Sequence, residues 1–235
     1  MINTILFDLD GTLLPLDQDT FIKAYFGLLA QHLAPYGYEA KPLYGGIMAG
    51  TDAMIKNDGS KSNEDAFWDT FCALMGRDAR ADEPHFAEYY RTGFQQVAGV
   101  CGFDAAAKPT VDQLKAKGYT LALATNPIFP AIATEQRIAW AGLSPEDFAL
   151  YTTYENSRHC KPHTEYYRDV IAALGVSAEE CLMVGNSVEE DMVAESLGMK
   201  VFLFTQHLIN PNNADISRYP QGGCTELLAY IETLN

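Results

Sequence analysis

Asp8 and Asp10 stand two residues apart at the end of a short apolar run, Thr4-Ile5-Leu6-Phe7. In a strand both side chains would point to one face, and Gly11 then permits a turn. Two carboxylates this close repel each other unless a proton or a cation lies between them. A hard Mg²⁺ ion, bound by few carboxylates and leaving room for substrate oxygens, meets that need. A lone pair of this kind is ordinarily a solvated turn. Its company changes the reading. Thr125-Asn126 follows a second apolar run, Lys161-Pro162 lies in a later loop, and Gly185-Asn186-Ser187 with Glu190 and Asp191 follows a third apolar run. Carboxylates, a hydroxyl, amides and one lysine make a site for a metal and a phosphate.

These residues need a scaffold that collects them. Strands are predicted at residues 4–8, 119–124, about 149–153, 181–184 and 200–204, from short apolar runs bounded by turn residues. Helical patterns fall between them and stop at Gly118, Gly142, Gly175 and Gly198, the last one covering residues 189–197. Alternating strands and helices predict an α/β fold with a parallel sheet covered on both faces. In such a sheet ligands bind beyond the carboxyl ends of the strands. All four polar clusters fall at that edge.

The first two strands are too far apart for one crossover. Residues 16–103 read as an all-helical insert. Phe21, Tyr25, Leu28, Leu29 and His32 share one helical face, Phe67, Phe71 and Leu74 another, and Phe86, Tyr90 and Phe94 a third. Residues 44–63, rich in Gly, Asp, Lys and Ser, read as loop. The aromatic stripes are expected to be core. The expected division is a discontinuous α/β domain, residues 1–15 and 104–235, with a helical domain at 16–103.

Composition narrows the function. With 48% apolar and 20% charged residues in 235, the chain has the make-up of an ordinary globular protein. A formal net charge of −15 and no basic run exclude a nucleic-acid binder. The acidity still allows a small anionic substrate, because a metal and one lysine can reverse the local field. No apolar run reaches the length of a membrane span, and the first residues carry no basic leader. Five scattered cysteines without a CxxC pair suit reduced thiols, so a cytoplasmic protein is expected. His159 and His163 are separated by Pro162 in a loop, which argues against a zinc pair.

The motifs together resemble the haloacid dehalogenase (HAD) superfamily. Asp8-Leu9-Asp10-Gly11-Thr12, Thr125 at a strand end, Lys161-Pro162 and the run Gly185 to Asp191 appear in that family's order and span the α/β part. The helical insert between the first two motifs is similar to the family's C1-type cap. The resemblance implies a Rossmann-like core and a Mg²⁺-dependent phosphatase acting on a small phosphorylated metabolite. It implies Asp8 as nucleophile and Asp10 as acid and base. Thr125, Asn126 and Lys161 would bind phosphate, and Asp8, Asp10, Asn186 and Asp191 would lie around the metal. The connectors near residues 14–17 and 99–104 are the expected hinges of a lid. One departure stands out: the family usually has aspartate where Asn186 stands, which leaves the metal one negative charge short. Phosphonate hydrolysis, phosphomutase activity and non-enzymatic binding of a phospho-ligand are the competing readings. The first two need a cap cation near Asp8, and no motif in the insert supplies one. A dehalogenase is disfavoured because its relatives lack the second aspartate.

Overall fold

The computed structural model describes residues 1–234. Its centre is β1 (Thr4–Phe7), a strand buried at every position. Four α-helices of the insert follow: α1 (Gln18–Leu33), α2 (Ala40–Ile55), α3 (Asn63–Met75) and α4 (Glu83–Thr92). The chain then alternates through α5 (Ala107–Ala116), β2 (Thr120–Leu123), α6 (Ala131–Trp140), β3 (Leu150–Tyr151), α7 (Thr164–Leu174) and β4 (Cys181–Gly185). It ends with β5 (Lys200–Phe204), β6 (Gln221–Gly222) and α8 (Cys224–Glu232). The sheet order is β3-β2-β1-β4-β5-β6 and every pairing is parallel. The strand order reverses between β1 and β4, and the crevice beyond that point is where such sheets bind ligands. β6, only two residues long and carrying a glycine, has no apolar run to announce it.

Side chains alternate across the sheet as a period of two requires. Ile5 and Phe7 of β1 join Leu121, Leu123, Leu182 and Val184 on one face. Leu6 joins Ala122, Met183 and Leu203 on the other, under Tyr166, Tyr167 and Val170 of α7. The first face does not stop at the sheet. It runs on into the helical insert through aromatic pairs such as Phe94 with Trp140, whose ring centroids lie 4.9 Å apart, and Phe21 with Phe129 at 6.2 Å. The two connectors to the insert run side by side, with Gly102 N–H donating to the Pro15 carbonyl at 2.7 Å.

The four glycines read as helix stops all have positive φ and follow α5, α6, α7 and a short 3₁₀ stretch. That last stretch corrects an expectation: residues 189–197 do not form one helix, and only Met192–Leu197 coil, as a 3₁₀ turn. The reading of residues 44–63 as loop is also corrected. α2 covers Ala40–Ile55, and the irregular stretch shrinks to about 56–62. Gly46 and Gly50 there serve packing and not turns. A Cβ on Gly46 would lie 2.9 Å from the Phe71 ring and one on Gly50 would overlap the Phe67 ring, so both let α2 lie close on α3. No helix among the described residues is long and apolar enough to cross a membrane.

This packing separates glycines that matter from one that does not. Gly50→Ala should destabilise the protein by roughly 1–3 kcal/mol through overpacking against Phe67. Gly45→Ala, with open space around it, should stabilise it by roughly 0.5–1 kcal/mol because alanine is the better helix former. Urea denaturation midpoints of the two variants should move in opposite directions; shifts of equal sign would refute the account.

Candidate active site

Three loops converge beyond the carboxyl ends of β1, β3 and β4. In the first, Asp8 N–H donates to the Val184 carbonyl at 2.8 Å, which extends the sheet pairing by one residue. The chain then turns back at once: Leu14 N–H donates to the Leu9 carbonyl and Gly11 N–H to the Leu14 carbonyl, both at 2.8 Å. Gly11 sits at φ +87°, and a Cβ there would overlap the Asn186 side-chain amide. Glycine is therefore required twice over, by its backbone angle and by the closeness of the third loop. Gly185 plays the matching part on β4, where a Cβ would overlap the Asp191 carboxylate.

Lys161 ties the loops together. Its ammonium donates to Asp8 Oδ1 at 2.9 Å and to Asp191 Oδ1 at 2.6 Å. All three side chains are buried. Burial works against the Lys161 charge, but Asp191 and Asp8 outweigh it and hold the pKa well above the ordinary lysine range. The second oxygen of Asp191 accepts the Ser187 N–H at 2.8 Å. Both Asp191 oxygens are thus committed to protein donors. The Lys161–Pro162 peptide is cis.

Asn186 is oriented by its own hydrogen bonds. Its Nδ2 donates to the His207 carbonyl at 2.6 Å, which leaves Oδ1 facing the site. The Thr12 hydroxyl lies between Asn186 Oδ1 at 3.3 Å and Asp8 Oδ2 at 3.2 Å. One proton cannot satisfy both acceptors, so two oxygens converge with a single weak donor between them. Among the described residues no three His, Cys, Asp or Glu side chains cluster to hold a metal by themselves. An Mg²⁺ ion does not need such a cage, because it is commonly bound by one or two carboxylates, with waters and substrate oxygens completing its shell. Asp8 Oδ2, Asn186 Oδ1 and a backbone carbonyl of the first loop fit that donor set.

Asp10 has a partner that sequence reasoning missed. Arg137 of α6, only 1% exposed, forms an ion pair with Asp10 Oδ2 and donates to the Thr134 hydroxyl at 3.3 Å. Its guanidinium lies 4.4 Å above the Phe129 ring centroid. The other oxygen, Asp10 Oδ1, has no protein partner. Burial raises the Asp10 pKa above the usual carboxylate range, with Arg137 opposing and Asp8 adding to the rise. The missed signal was positional: Arg137 shares the buried face of α6 with Ala133, Thr134 and Ile138, and arginine is almost never fully buried without a partner.

Thr125 is buried at the end of β2, its carbonyl accepting from the Thr152 and Tyr166 hydroxyls at 2.6 and 2.9 Å. Asn126 Nδ2 donates to Glu190 at 3.3 Å. The site residues read from the sequence, Asp8, Asp10, Thr125, Asn126, Asn186 and Asp191, all line one cavity of about 380 Å³, with Lys161 buried behind Asp8. The insert closes over it. Asn63 at the start of α3 is fully buried, and its Nδ2 donates to the Pro127 carbonyl at 3.3 Å, the His159 carbonyl at 3.4 Å and Cys160 Sγ at 3.3 Å. His159 pairs with Asp169. Lys56, Lys61 and Arg77 of the insert pair with Asp52, Asp69 and Asp82 on the surface, away from the cavity.

Glu190 gives the site a pH signature. Burial pushes its pKa up to about 7, with Lys161 opposing and Asp191 and Asp8 adding. Between about 4.5 and 7 the unfolded chain releases this proton while the folded chain keeps it. Stability that is fully present below the unfolded value is therefore lost as pH rises through 7. In metal-free buffer, Glu190→Gln should lose less stability than wild type between pH 5 and 8. Urea titrations at several pH values test this, and parallel profiles for the two proteins would contradict it.

Residues 2–196 match the family model described as a haloacid dehalogenase-like hydrolase. The chain is 27% identical over 205 residues to pyrophosphatase PpaX of Bacillus cereus (strain AH820), covering 85% of this chain and 81% of that protein. Among solved structures it resembles a 2-haloacid dehalogenase from Pseudomonas syringae pv. Tomato DC3000, with a TM-score of 0.67 and 18% identity over the whole of both chains. It also resembles the HAD-hydrolase YfnB from Bacillus subtilis bound to magnesium, with a TM-score of 0.56 and 20% identity over 98% of each chain. At these identities the structural likenesses speak for the fold, and the family match agrees with the parallel sheet and its inserted helices. The chain belongs to the haloacid dehalogenase-like hydrolases.

Proposed function

We propose that this chain is a Mg²⁺-dependent phosphatase that hydrolyses a small phosphomonoester through Asp8. The observation that carries the reading is the placement of the Asp8 carboxylate. It lines the cavity, with one oxygen on Lys161 at 2.9 Å and the other beside the Thr12 hydroxyl and near Asn186 Oδ1. A nucleophile so placed needs charge neutralisation before it can meet a phosphate dianion. Lys161 supplies part of it. Asp8, the Asp10 backbone carbonyl and Asn186 Oδ1 would hold Mg²⁺, which supplies the rest and polarises the phosphoryl group. YfnB, described with bound magnesium, has the same fold.

The protein groups then divide the work. Asp8 attacks phosphorus in line, the P–O bond to the leaving group breaks, and an aspartyl-phosphate forms. Asp10 Oδ1, raised in pKa and free of protein partners, gives its proton to the leaving oxygen. It then takes a proton from the water that hydrolyses the intermediate. Arg137 holds Asp10 by its other oxygen and fixes the direction of that transfer. Thr125 and Asn126 bind the phosphoryl oxygens. Asp191 acts by positioning Lys161 and the 185–191 loop. Residues 16–103 act as a cap that admits substrate and then excludes water. No lysine or arginine lines the cavity among the described residues, so the cap cation needed by phosphonate hydrolysis or phosphomutase activity is missing.

Asp8→Asn should remove nearly all Mg²⁺-dependent phosphate release while the protein stays folded, because the amide cannot form the acyl-phosphate. Near-wild-type release would end the proposal. Asn186→Asp should lower the Mg²⁺ concentration at half-maximal activity, since a full charge replaces a neutral oxygen about 2.1 Å from a dication. Desolvation of the new carboxylate moderates the gain. A midpoint that stays put or rises in a Mg²⁺ titration would show that Asn186 is not a direct ligand.

A further inference from the structure

Resting on the phosphatase reading, we infer that the cavity selects phosphomonoesters of apolar, uncharged alcohols, preferably aromatic ones, over substrates that carry a second anionic group. The floor of the cavity belongs to the site already described. Its walls come from the insert and from the loop before α6. Phe21, Tyr25, Phe26, Phe67, Phe86 and Phe129 supply most of that surface, with Ile22, Ile47 and Met48 between them.

The tyrosine hydroxyls of these walls pair with each other, and the other polar side chains there, Gln18, Thr51 and Trp68, are uncharged. The Tyr25 and Tyr90 hydroxyls lie 2.9 Å apart, and burial pushes the Tyr25 hydroxyl pKa up to about 12. The tyrosines therefore offer ring surface and not charge. Away from the floor, the charged residues on the cavity are Glu83 and Glu155. Glu155 accepts the Ala131 N–H through both oxygens, at 2.9 and 3.0 Å, and so caps α6. No lysine, arginine or histidine lines the walls among the described residues. Several cations of the insert pair outside the cavity: Lys56 with Asp52, Lys61 with Asp69 and Arg77 with Asp82, while Arg80 holds Glu64 and Asp65 and lies 3.9 Å from Glu83 without lining the cavity itself.

A substrate with a carboxylate or a second phosphate would lose the hydration of that group on entering. It would meet rings, a few uncharged polar groups and two carboxylates in return, with no cation on the walls to pair it, and an unpaired buried charge is strongly disfavoured. A ring or branched alkyl group loses little by leaving water and gains contact with the aromatic faces. The volume, about 380 Å³, accommodates a phosphoryl group and a ring together. The phosphate end is recognised by the floor and the alcohol end by the walls.

The test is a substrate panel on the wild-type protein with Mg²⁺. 2-Phenylethyl phosphate, phosphoglycolate and choline phosphate share alkyl leaving groups, so the chemical step differs little among them. Pyrophosphate adds a second phosphate, and acetyl phosphate, small and activated, needs only the floor. The expected result is a kcat/KM for 2-phenylethyl phosphate higher than that for phosphoglycolate or pyrophosphate by on the order of 100-fold. Choline phosphate should fall below the phenylethyl ester as well. A preference for phosphoglycolate or pyrophosphate would overturn the inference, while acetyl phosphate turnover would leave the phosphatase reading standing. A preference for choline phosphate would also overturn it, by showing that the aromatic walls and Glu83 select a cation. Failure of every compound, acetyl phosphate included, would remove both.

Discussion

The Lys161 ammonium is buried between Asp8 and Asp191, and the rest of the site depends on that placement. A buried charge is tolerated only when it is paired and hydrogen-bonded, and here it has a carboxylate on each side at 2.9 and 2.6 Å. The pairing fixes the loop after β3 against the ends of β1 and β4. It also holds one oxygen of Asp8 still, so the other is left to face the cavity. Asp191 is then held by the Ser187 N–H, and Ser187 stands next to Asn186. A chain of hydrogen bonds runs from the lysine to Asp8 and Asp191, and from Asp8 through the Thr12 hydroxyl to Asn186. The glycines follow from the same constraint. Gly11 is where the first loop meets Asn186, and Gly185 is where its own loop folds Asp191 back, each too closely for a Cβ.

A second ion pair, Arg137 with Asp10, gives the division of labour proposed for the two aspartates a physical basis. Asp8 and Asp10 are neighbours in sequence with different surroundings. Asp8 is paired with a lysine that it shares with Asp191. Asp10 is paired with an arginine in α6 that stacks on Phe129 and keeps one carboxyl oxygen unpartnered. Pairs of acids in unlike environments are how one site holds a nucleophile and a proton donor together. Because Phe129 also walls the cavity, the group that orients Asp10 is packed on the surface that would meet the leaving group.

What the sequence made legible was whatever is local. The strand ends, the glycine exits of α5, α6 and α7, and the four polar clusters are short patterns, and the parallel topology then brings the clusters to one edge. What stayed hidden was long-range. Nothing near Gly46 or Gly50 says that Phe71 and Phe67 will press on them, so their glycines read as loop when they are close-packed helix. Nothing local marks Arg137, because its partner lies 127 positions away. Asn63 ends the stretch that reads as loop, and its contacts with Pro127, His159 and Cys160 depend on the insert folding back over the core. The residues that carry charge at the floor were readable. The residues that hold them in place, and those that shape the walls, were not.

The walls and the floor also act on each other. The aromatic core of the insert is continuous with one face of the sheet, and Asn63 anchors it to the loops that carry Asn126 and Lys161. With the insert seated in this way, aromatic rings wall the cavity beyond Asp8. Electrostatic interactions strengthen as the local dielectric falls, so in the proposed mechanism a substrate whose alcohol end fills the cavity would strengthen the pairing of Lys161 with Asp8 at the phosphoryl end. Opening the insert would expose the Phe94, Trp140 and Phe21, Phe129 contacts and strip Asn63 of its three partners. The open state therefore costs apolar burial as well as hydrogen bonds, and a ligand that fills the cavity with apolar surface favours closure. On the proposed function, binding energy from the non-reacting part of the substrate would in this way be directed to assembling the charged site, which is where it can lower the barrier.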